Sequence, residues 1–560
     1  MGEIARGIKD KIKLAESLIN SHEHQKAIDS LLDIIEFFEE VGDFKKRDKF
    51  LLKIDDCYKS LALQFREQKD YFEAAETYCS AAFLQKEHDK NEVAHQLFND
   101  AIDCFVCAGK NALSKKAYLE ASTLFNSAAK YAKTELQDKL KSSEHYQNAI
   151  EALKEEILIH SSEENPLLFC QNRLELGKIY ENVEAYQKAI ECYEMVAELS
   201  VLKEMYSFAA ESYQQMSYCY ECLGNYDAMV DCLNKAVDYR LLEAEKYKES
   251  DLPLEAVQNF IAAANCVSKL RESDELLMNI LQSEANCFLT AAKQNAESGQ
   301  ILQAAYYERN AAYCYNQLGK SDLSIDLLLT AAEKLLSIDE FYGAAYNFQD
   351  VSLYEEKIGN YIKAANYALK AANSACQSGD FEIATENFKR AAQIYQSIGY
   401  HDKVNFCNKK LAECYVKFAE LNENSNKSHI AGFLLIKAAS FYSKSDAPEI
   451  TLSCYEKAIE FYENAIKIAI KDDEKLLASY SACCATLVCL IMKQPTRAMS
   501  ILNNVRDISS NTYYKLSDSL IKAYKTKNLH EYNEIHEKFQ KIIQNSPEIK
   551  NMFDLTRNYL

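Results

Sequence analysis

Glycine is scarce in this 560-residue chain, 13 in all, yet six turn-like positions (Gly299, Gly319, Asp339, Gly359, Gly379 and Gly399) follow one another at steps of twenty residues. A fixed period of this length marks a repeat architecture, in which each unit buries its apolar face only against its neighbours. Twenty residues hold one helix of about 16 residues and a connection of about 4, which leaves room only for an antiparallel return. Two units make one hairpin, somewhat longer than the roughly 34 residues of a standard tetratricopeptide repeat (TPR). Two further phases of the same period, one through Glu144, Glu164, Glu184, Glu204 and Gly224 and one through Lys69, Asp89 and Gly109, mark earlier turns. The shifts between phases imply short insertions.

Alternate units carry a second pattern: an aromatic just after the turn, then small residues, a second aromatic, and small residues again. Tyr71, Ala74, Ala75, Tyr78, Ala81 and Ala82 fit it, as do Tyr118, Ala121, Ser122, Phe125, Ala128 and Ala129, and Phe381, Ala384, Thr385, Phe388, Ala391 and Ala392. Tyr206–Tyr213 and Phe341–Phe348 repeat its first half. These offsets fall on one helical stripe, with aromatics as knobs and alanines as the holes that admit the next helix. The stripe therefore reads as core rather than as an aromatic ligand box. All five prolines sit in polar breaks such as "ENP" and "SDLP", where the first turn of a helix tolerates them. The expected fold is all-α, an α-solenoid of antiparallel TPR-like hairpins. Its expected divisions are an N-terminal array over 1–280, a second run of repeats over 281–430, and a closing helical bundle over 431–560. The polar run "ELNENSNKSHIAG", residues 420–432, reads as a long loop with Ser428 as a helix cap.

Charge and cysteine usage narrow the function. Eighty-four acids against 64 bases give a net charge of -20, a field that repels phosphate and disfavours nucleic acid or an anionic membrane surface. Nineteen cysteines dispersed behind a start, "MGEIARGIKDKIKL", with no signal-peptide pattern read as reduced and mostly buried, which predicts a cytoplasmic protein. Cys104 and Cys107 in "CFVC", and Cys219 and Cys222 in "CYEC", have zinc-knuckle spacing, but they lie within helices and read as members of one buried stripe. His530 and His536 are six residues apart, which does not match the zinc-protease helix. No metal, cofactor or catalytic residue is expected, and the chain reads as a non-enzyme.

The C-terminal residues carry a family resemblance. In "YYKLSDSLIKAYKTKNLHEYNEIHEKFQKI", residues 513–542, Leu516, Leu520, Ala523, Asn528, Tyr532, Phe539 and Ile542 follow a leucine-rich helix, a polar turn and spaced aromatics. "LLASYSACCATLVCLIMKQPTRAMSILNNV" precedes it, and "FEIATENFKRAAQIYQSIGYHDKVNFCNKKLAECY" lies further upstream. Over residues 340–560 this resembles the soluble NSF-attachment proteins (SNAPs), with a weaker echo in "KDYFEAAETYCSAAFLQKEHDKNEVAHQLFNDAIDCFVCAG". The resemblance implies an adaptor that lays a helical array along a four-helix SNARE bundle and presents its C-terminal end to a hexameric AAA ATPase. The candidate grips are Lys357, Lys389, Arg390, Lys409 and Lys410; taken singly, each also reads as ordinary solvated helix face. The family's acidic, leucine-containing tail has no counterpart in "NMFDLTRNYL", where Asp554 is the last acid and Leu560 the final residue; this counts against ATPase recruitment, and the two residues stand only as partner-binding candidates. "SLINSHEHQKAI" lacks the glycine and phenylalanine loop that the family inserts into membranes, so any peripheral membrane association would run through a partner. The resemblance leaves an additional N-terminal array of about 280 residues unexplained. Two other classes stay open: a generic TPR-like scaffold for complex assembly, whose groove would offer Lys and Asn to a carboxylate, and, more distantly, an enzyme, which would need perturbed titratable groups gathered in a pocket.

Overall fold

The computed structural model describes residues 2–40, 44–160, 162–270, 274–424, 427–445, 447–472, 474–506 and 511–557. Among the described residues there are twenty-seven helices and no strand. The chain divides into two compact units, Met1–Ile280 and Leu281–Leu560. The first holds α1 (Gly2–Asn20), α2 (His24–Glu40), α3 (Phe44–Glu67), α4 (Tyr71–Glu87), α5 (Asn91–Ser114), α6 (Tyr118–Thr134), α7 (Lys139–Ile159), α8 (Pro166–Asn182), α9 (Tyr186–Leu202), α10 (Tyr206–Cys222), α11 (Tyr226–Glu249) and α12 (Pro253–Val267). The division falls within α13 (Asp274–Glu297). The second continues through α14 (Ile301–Gln317), α15 (Ser321–Ser337), α16 (Phe341–Lys357), α17 (Tyr361–Ser378), α18 (Phe381–Ser397), α19 (His401–Asn424), α20 (Ser428–Lys444) and α21 (Pro448–Lys471). It closes with α22 (Lys475–Ile491), α23 (Pro495–Asn503), α24 (Thr512–Thr526), α25 (Leu529–Lys538), α26 (Gln540–Asn545) and α27 (Pro547–Arg557). From α1 to α12, and again from α14 to α27, each helix packs on the next. This is the α-solenoid of antiparallel hairpins expected from the period.

From α2 to α23, successive helices start 20 or 27 residues apart, with two steps of 21. The insertions implied by the phase shifts are mostly these seven extra residues, carried inside 24-residue helices: α3, α5, α11, α13, α19 and α21. Seven residues turn a helix through nearly two revolutions, so the extension lengthens it without rotating its apolar face away from its neighbours. All six are odd-numbered. In an antiparallel array alternate helices share a layer, so within each unit the extensions fall on one side. The spacing series 27, 21, 27, 20, 20, 20 runs from Asn91 to Tyr226 and recurs from Tyr226 to Tyr361. Residues at the same offset agree: Ala209 and Ala210 with Ala344 and Ala345, Gln214 with Gln349, Ser217 with Ser352, and Gly224-Asn225-Tyr226 with Gly359-Asn360-Tyr361. The array thus contains a duplication about six helices long.

Most of the described short turns of the array pass through a left-handed residue. Gly379 has φ +83°, and the following N–H, on Asp380, donates to the carbonyl of Ala375 at 3.0 Å. This is how glycine closes a helix, by satisfying a carbonyl that would otherwise be orphaned. Lys69, Asp89, Glu184, Glu204 and Asp339 hold the same conformation without being glycine. Two expected turns are corrected. Gly109 and Glu144 lie inside α5 and α7, and the turns next to them are at Lys116 and Gln137. The extension of α5 carried the helix past the expected turn, and Gly109 instead makes room for a neighbour: a Cβ there would stand 2.9 Å from the ring of Phe125.

The aromatic and alanine stripe is core. Ala74, Ala75, Tyr78, Ala121, Phe125, Ala128, Ala384, Phe388 and Ala391 are buried, and the Ser122 hydroxyl donates to the carbonyl of Ala149 on α7 at 2.9 Å. In the second unit one apolar cluster runs from Ala345 to Phe553, with α22 packed against α21, α23, α24 and α27. The loop expected at 420–432 is also corrected. α19 continues to Asn424 and α20 begins at Ser428, because the polar residues are the solvated end of a long helix. Ser428 is the first helical residue rather than the cap, and its hydroxyl accepts from Asn464 at 3.2 Å. Asn426, in the sequon-like "NKS", lies outside the described residues. The two C-x-x-C pairs do not share a buried stripe either: Cys104 and Cys219 are buried, whereas Cys107 and Cys222 are exposed.

Three substitutions test the turn and packing assignments through the urea midpoint. Gly359→Ala should destabilise by about 1 kcal/mol, since a side chain in the left-handed region costs ~1–2 kcal/mol. Glu184→Gly should be neutral or stabilising by up to about 1 kcal/mol for the same reason, less the added freedom of the unfolded chain. Gly109→Ala should cost about 1–3 kcal/mol through overpacking against Phe125.

Candidate partner-binding groove

The sequence of α20, "SHIAGFLLIKAASFYSK", leaves it apolar on most sides. Ala431, Leu434, Leu435, Ala438 and Ala439 are buried, while Phe433, Lys437, Ser440 and Phe441 are only partly covered. The C-terminal helix α27 stands across from this second face. Ile549, Met552, Phe553 and Thr556 recur at helical spacing and are buried. The Tyr532 hydroxyl donates to the carbonyl of Phe553 at 2.7 Å, with the two rings 4.4 Å apart. That anchoring turns Asn551, Asp554, Leu555 and Arg557 toward α20. Together with Lys389 of α18 and Tyr415 of α19, they enclose a groove of about 740 Å³.

The groove is basic and aromatic. Lys389, Lys437, Lys444 and Arg557 line it, against the single carboxylate of Asp554. The ammonium of Lys437 lies 4.1 Å from the Phe433 ring centre and 5.8 Å from that of Tyr415. Lys389 approaches the same tyrosine at 5.5 Å, and Lys444 lies 4.8 Å from Phe441. Tyr415 and Phe441 stack at 5.9 Å, forming the floor over which these cations stand. A cation over a ring face gains about 0.5–1 kcal/mol and keeps its stem on apolar surface with its charge outward. In a chain of net charge -20 this is a local concentration of positive charge.

Two of the residues singled out from sequence, Lys389 and Asp554, meet in this groove. The others do not line it. Arg390, next to Lys389, turns to α16 and pairs with Glu356. Lys410 pairs with Glu413 one turn along α19 at 2.7 Å. Lys357 and Lys409 are exposed at the end of α16 and on α19. Leu560 lies outside the described residues. Sequence reasoning missed Lys437, Lys444, Phe433, Phe441, Tyr415 and Arg557. The available signal was Phe433 with Lys437 and Phe441 with Lys444, each one turn apart on one helix, which is the spacing that puts a cation over a ring.

Two further observations bear on function. No helix among the described residues is long and apolar enough to cross a membrane. Residues 53–241 match the family model described as soluble NSF attachment protein, SNAP. An alpha-soluble NSF attachment protein of Vitis vinifera is 24% identical over 225 residues, covering 39% of this chain and 74% of that protein. The residues matched by the family model lie in the first unit and include the stretch read from sequence as the weaker echo, rather than 340–560. Among solved structures, a signal-transduction ATPase with a tetratricopeptide repeat sensor from Pyrococcus horikoshii is 14% identical with a TM-score of 0.26; the comparison covers 68% of this chain and 55% of that one. Aspartyl phosphate phosphatase F of Bacillus subtilis is 13% identical with a TM-score of 0.28, over 66% and 93%. Overlaps of this size carry no functional information.

If Tyr532 anchors α27 as the geometry indicates, Tyr532→Phe removes one buried hydrogen bond, worth about 1 kcal/mol. Hydrogen exchange of the α27 amides should then quicken roughly 5-fold, with that of α14–α16 unchanged.

Proposed function

We propose that this chain, SNAP-like over residues 53–241, is a non-enzymatic helical adaptor for protein–protein interaction, and that its second unit grips an acidic helical bundle of the SNARE type. The observation that carries this is the groove of four cations and one carboxylate backed by stacked aromatic rings. Individually, exposed ion pairs contribute little, about 0–1 kcal/mol. Several of them on a preformed surface steer a partner of opposite charge and fix its register. The aromatic floor adds apolar contact that a helix can meet with its own hydrophobic stripe.

In this reading the two units are both SNAP-like arrays, the first supported by the family match and the second by the residues quoted from 340–560. Residues 1–280 and 281–430 are repeat arrays, and 431–560 is the closing bundle that forms the groove together with Lys389 and Tyr415 of the preceding array. Arg390, Lys357, Lys409 and Lys410 would extend the gripping surface beyond it. A hexameric AAA ATPase is the proposed second partner, with Leu560 as a candidate contact from the sequence, whereas Asp554 faces the groove. The protein would act in the cytoplasm, reaching membranes through its partner and working in vesicle fusion or intracellular protein transport.

Binding of a preformed four-helix SNARE-type coiled coil to the full chain, with and without an AAA ATPase, tests this. Lys389→Glu with Lys437→Glu should weaken capture at least 10-fold, and raising salt from 50 to 200 mM should weaken the wild type, since surface charges are screened over about a Debye length. Failure to capture the coiled coil at low salt would overturn the reading. Capture of an extended acidic peptide instead would favour a general scaffold for complex assembly.

A further inference from the structure

Most of the cysteines are buried; Cys107, Cys222 and Cys376 are the ones that reach the surface. Cys376 differs from the other two in what faces it. It sits in the last turn of α17, partly exposed, and its sulfur lies 3.8 Å from that of Cys414, a buried residue on α19. The Cys414 thiol is also within 3.8 Å of the carbonyl of Phe381, the first residue of α18, which fixes where its sulfur points. The two sulfurs therefore approach each other across the start of α18, from residues 38 apart in sequence.

We propose that Cys376 and Cys414 form an oxidisable dithiol that closes to a disulfide with a low-molecular-weight disulfide as oxidant. A disulfide bond is about 2.05 Å long, so the pair needs less than 2 Å of movement, within reach of side-chain rotation and a small helix shift. Cys376 is the attacking group. Contact with the Cys414 thiol and the nearby charges of Lys417 and Lys410 hold its thiol below the ordinary cysteine range, which favours the nucleophilic thiolate. Its thiolate attacks one sulfur of glutathione disulfide, forming a mixed disulfide and releasing one glutathione thiolate. Cys414 then gives its proton to solvent and attacks the Cys376 sulfur, releasing the second glutathione. The protein loses two electrons and two protons, and one small disulfide becomes two thiols.

The bond would tie α17 to α19 with α18 enclosed between them. α18 carries Lys389 and α19 carries Tyr415, so oxidation would stiffen the wall of the groove whatever partner that groove takes. Such a link is reversible by the thiol pool, unlike oxidation of a cysteine to the sulfinic or sulfonic acid.

The test uses the full chain and glutathione disulfide, followed by alkylation of the remaining thiols and peptide mapping by mass spectrometry. The expected result is a cross-linked peptide pair containing Cys376 and Cys414, a loss of two alkylatable thiols, and reversal by a reducing agent. Cys414→Ser should leave a glutathione adduct on Cys376, and Cys376→Ser should abolish both products. Two outcomes would overturn the proposal: wild-type protein that stops at the Cys376 adduct with Cys414 still alkylatable, or modification confined to Cys107 and Cys222. The wild-type mapping decides without any variant, so a misfolded variant cannot rescue the idea.

Discussion

Close approach of neighbouring helices across small residues is the contact from which the rest of this molecule follows. An aromatic on one helix enters a gap on the last only where no side chain stands in the way. Phe125 lies on Gly109, Tyr193 on Gly177 and Tyr462 on Gly432. Around these points the alanines of the stripe are fully buried. Packing of this kind tolerates little change of volume. It therefore constrains helix length as well as composition: a helix can be extended only in steps that return its apolar face to the same side. The alternation of 20- and 27-residue spacings meets that constraint over most of the chain.

The groove arises where the repeat gives out. Through the array each helix is covered by its two neighbours, and its outer face is left to solvent. At α20 that face is crowded with aromatic side chains, and α27, pinned through Tyr532 and Phe553, stands opposite it. Cations occupy this place because a lysine stem can lie along a ring while its charge faces outward. The same packing that buries Leu434 and Leu435 therefore positions Lys437 and Lys444.

Period and stripe were legible in the sequence because both rest on spacings that side-chain size alone enforces. The turns at Gly299, Gly319, Gly359, Gly379 and Gly399 are where the period places them. Gly109 misled because glycine serves two purposes, a left-handed turn and a close approach, and spacing does not separate them. The polar run before Ser428 misled because the solvated end of a long helix has the composition of a loop. Lys389 and Asp554 were found without the groove they line: that concavity is made by α27, packed on α22, standing opposite α20 across more than a hundred residues, a juxtaposition no local pattern encodes. The duplication was similarly masked by the extended helices that shift its phase.

The most direct measurement of the central claim is a hydrogen-exchange footprint of the full chain bound to a four-helix SNARE-type coiled coil. Slowed exchange in residues 428–444 and 547–557, with α18 and α19 following, is the result predicted here. Protection confined to residues 53–241, or none in the second unit, would contradict it.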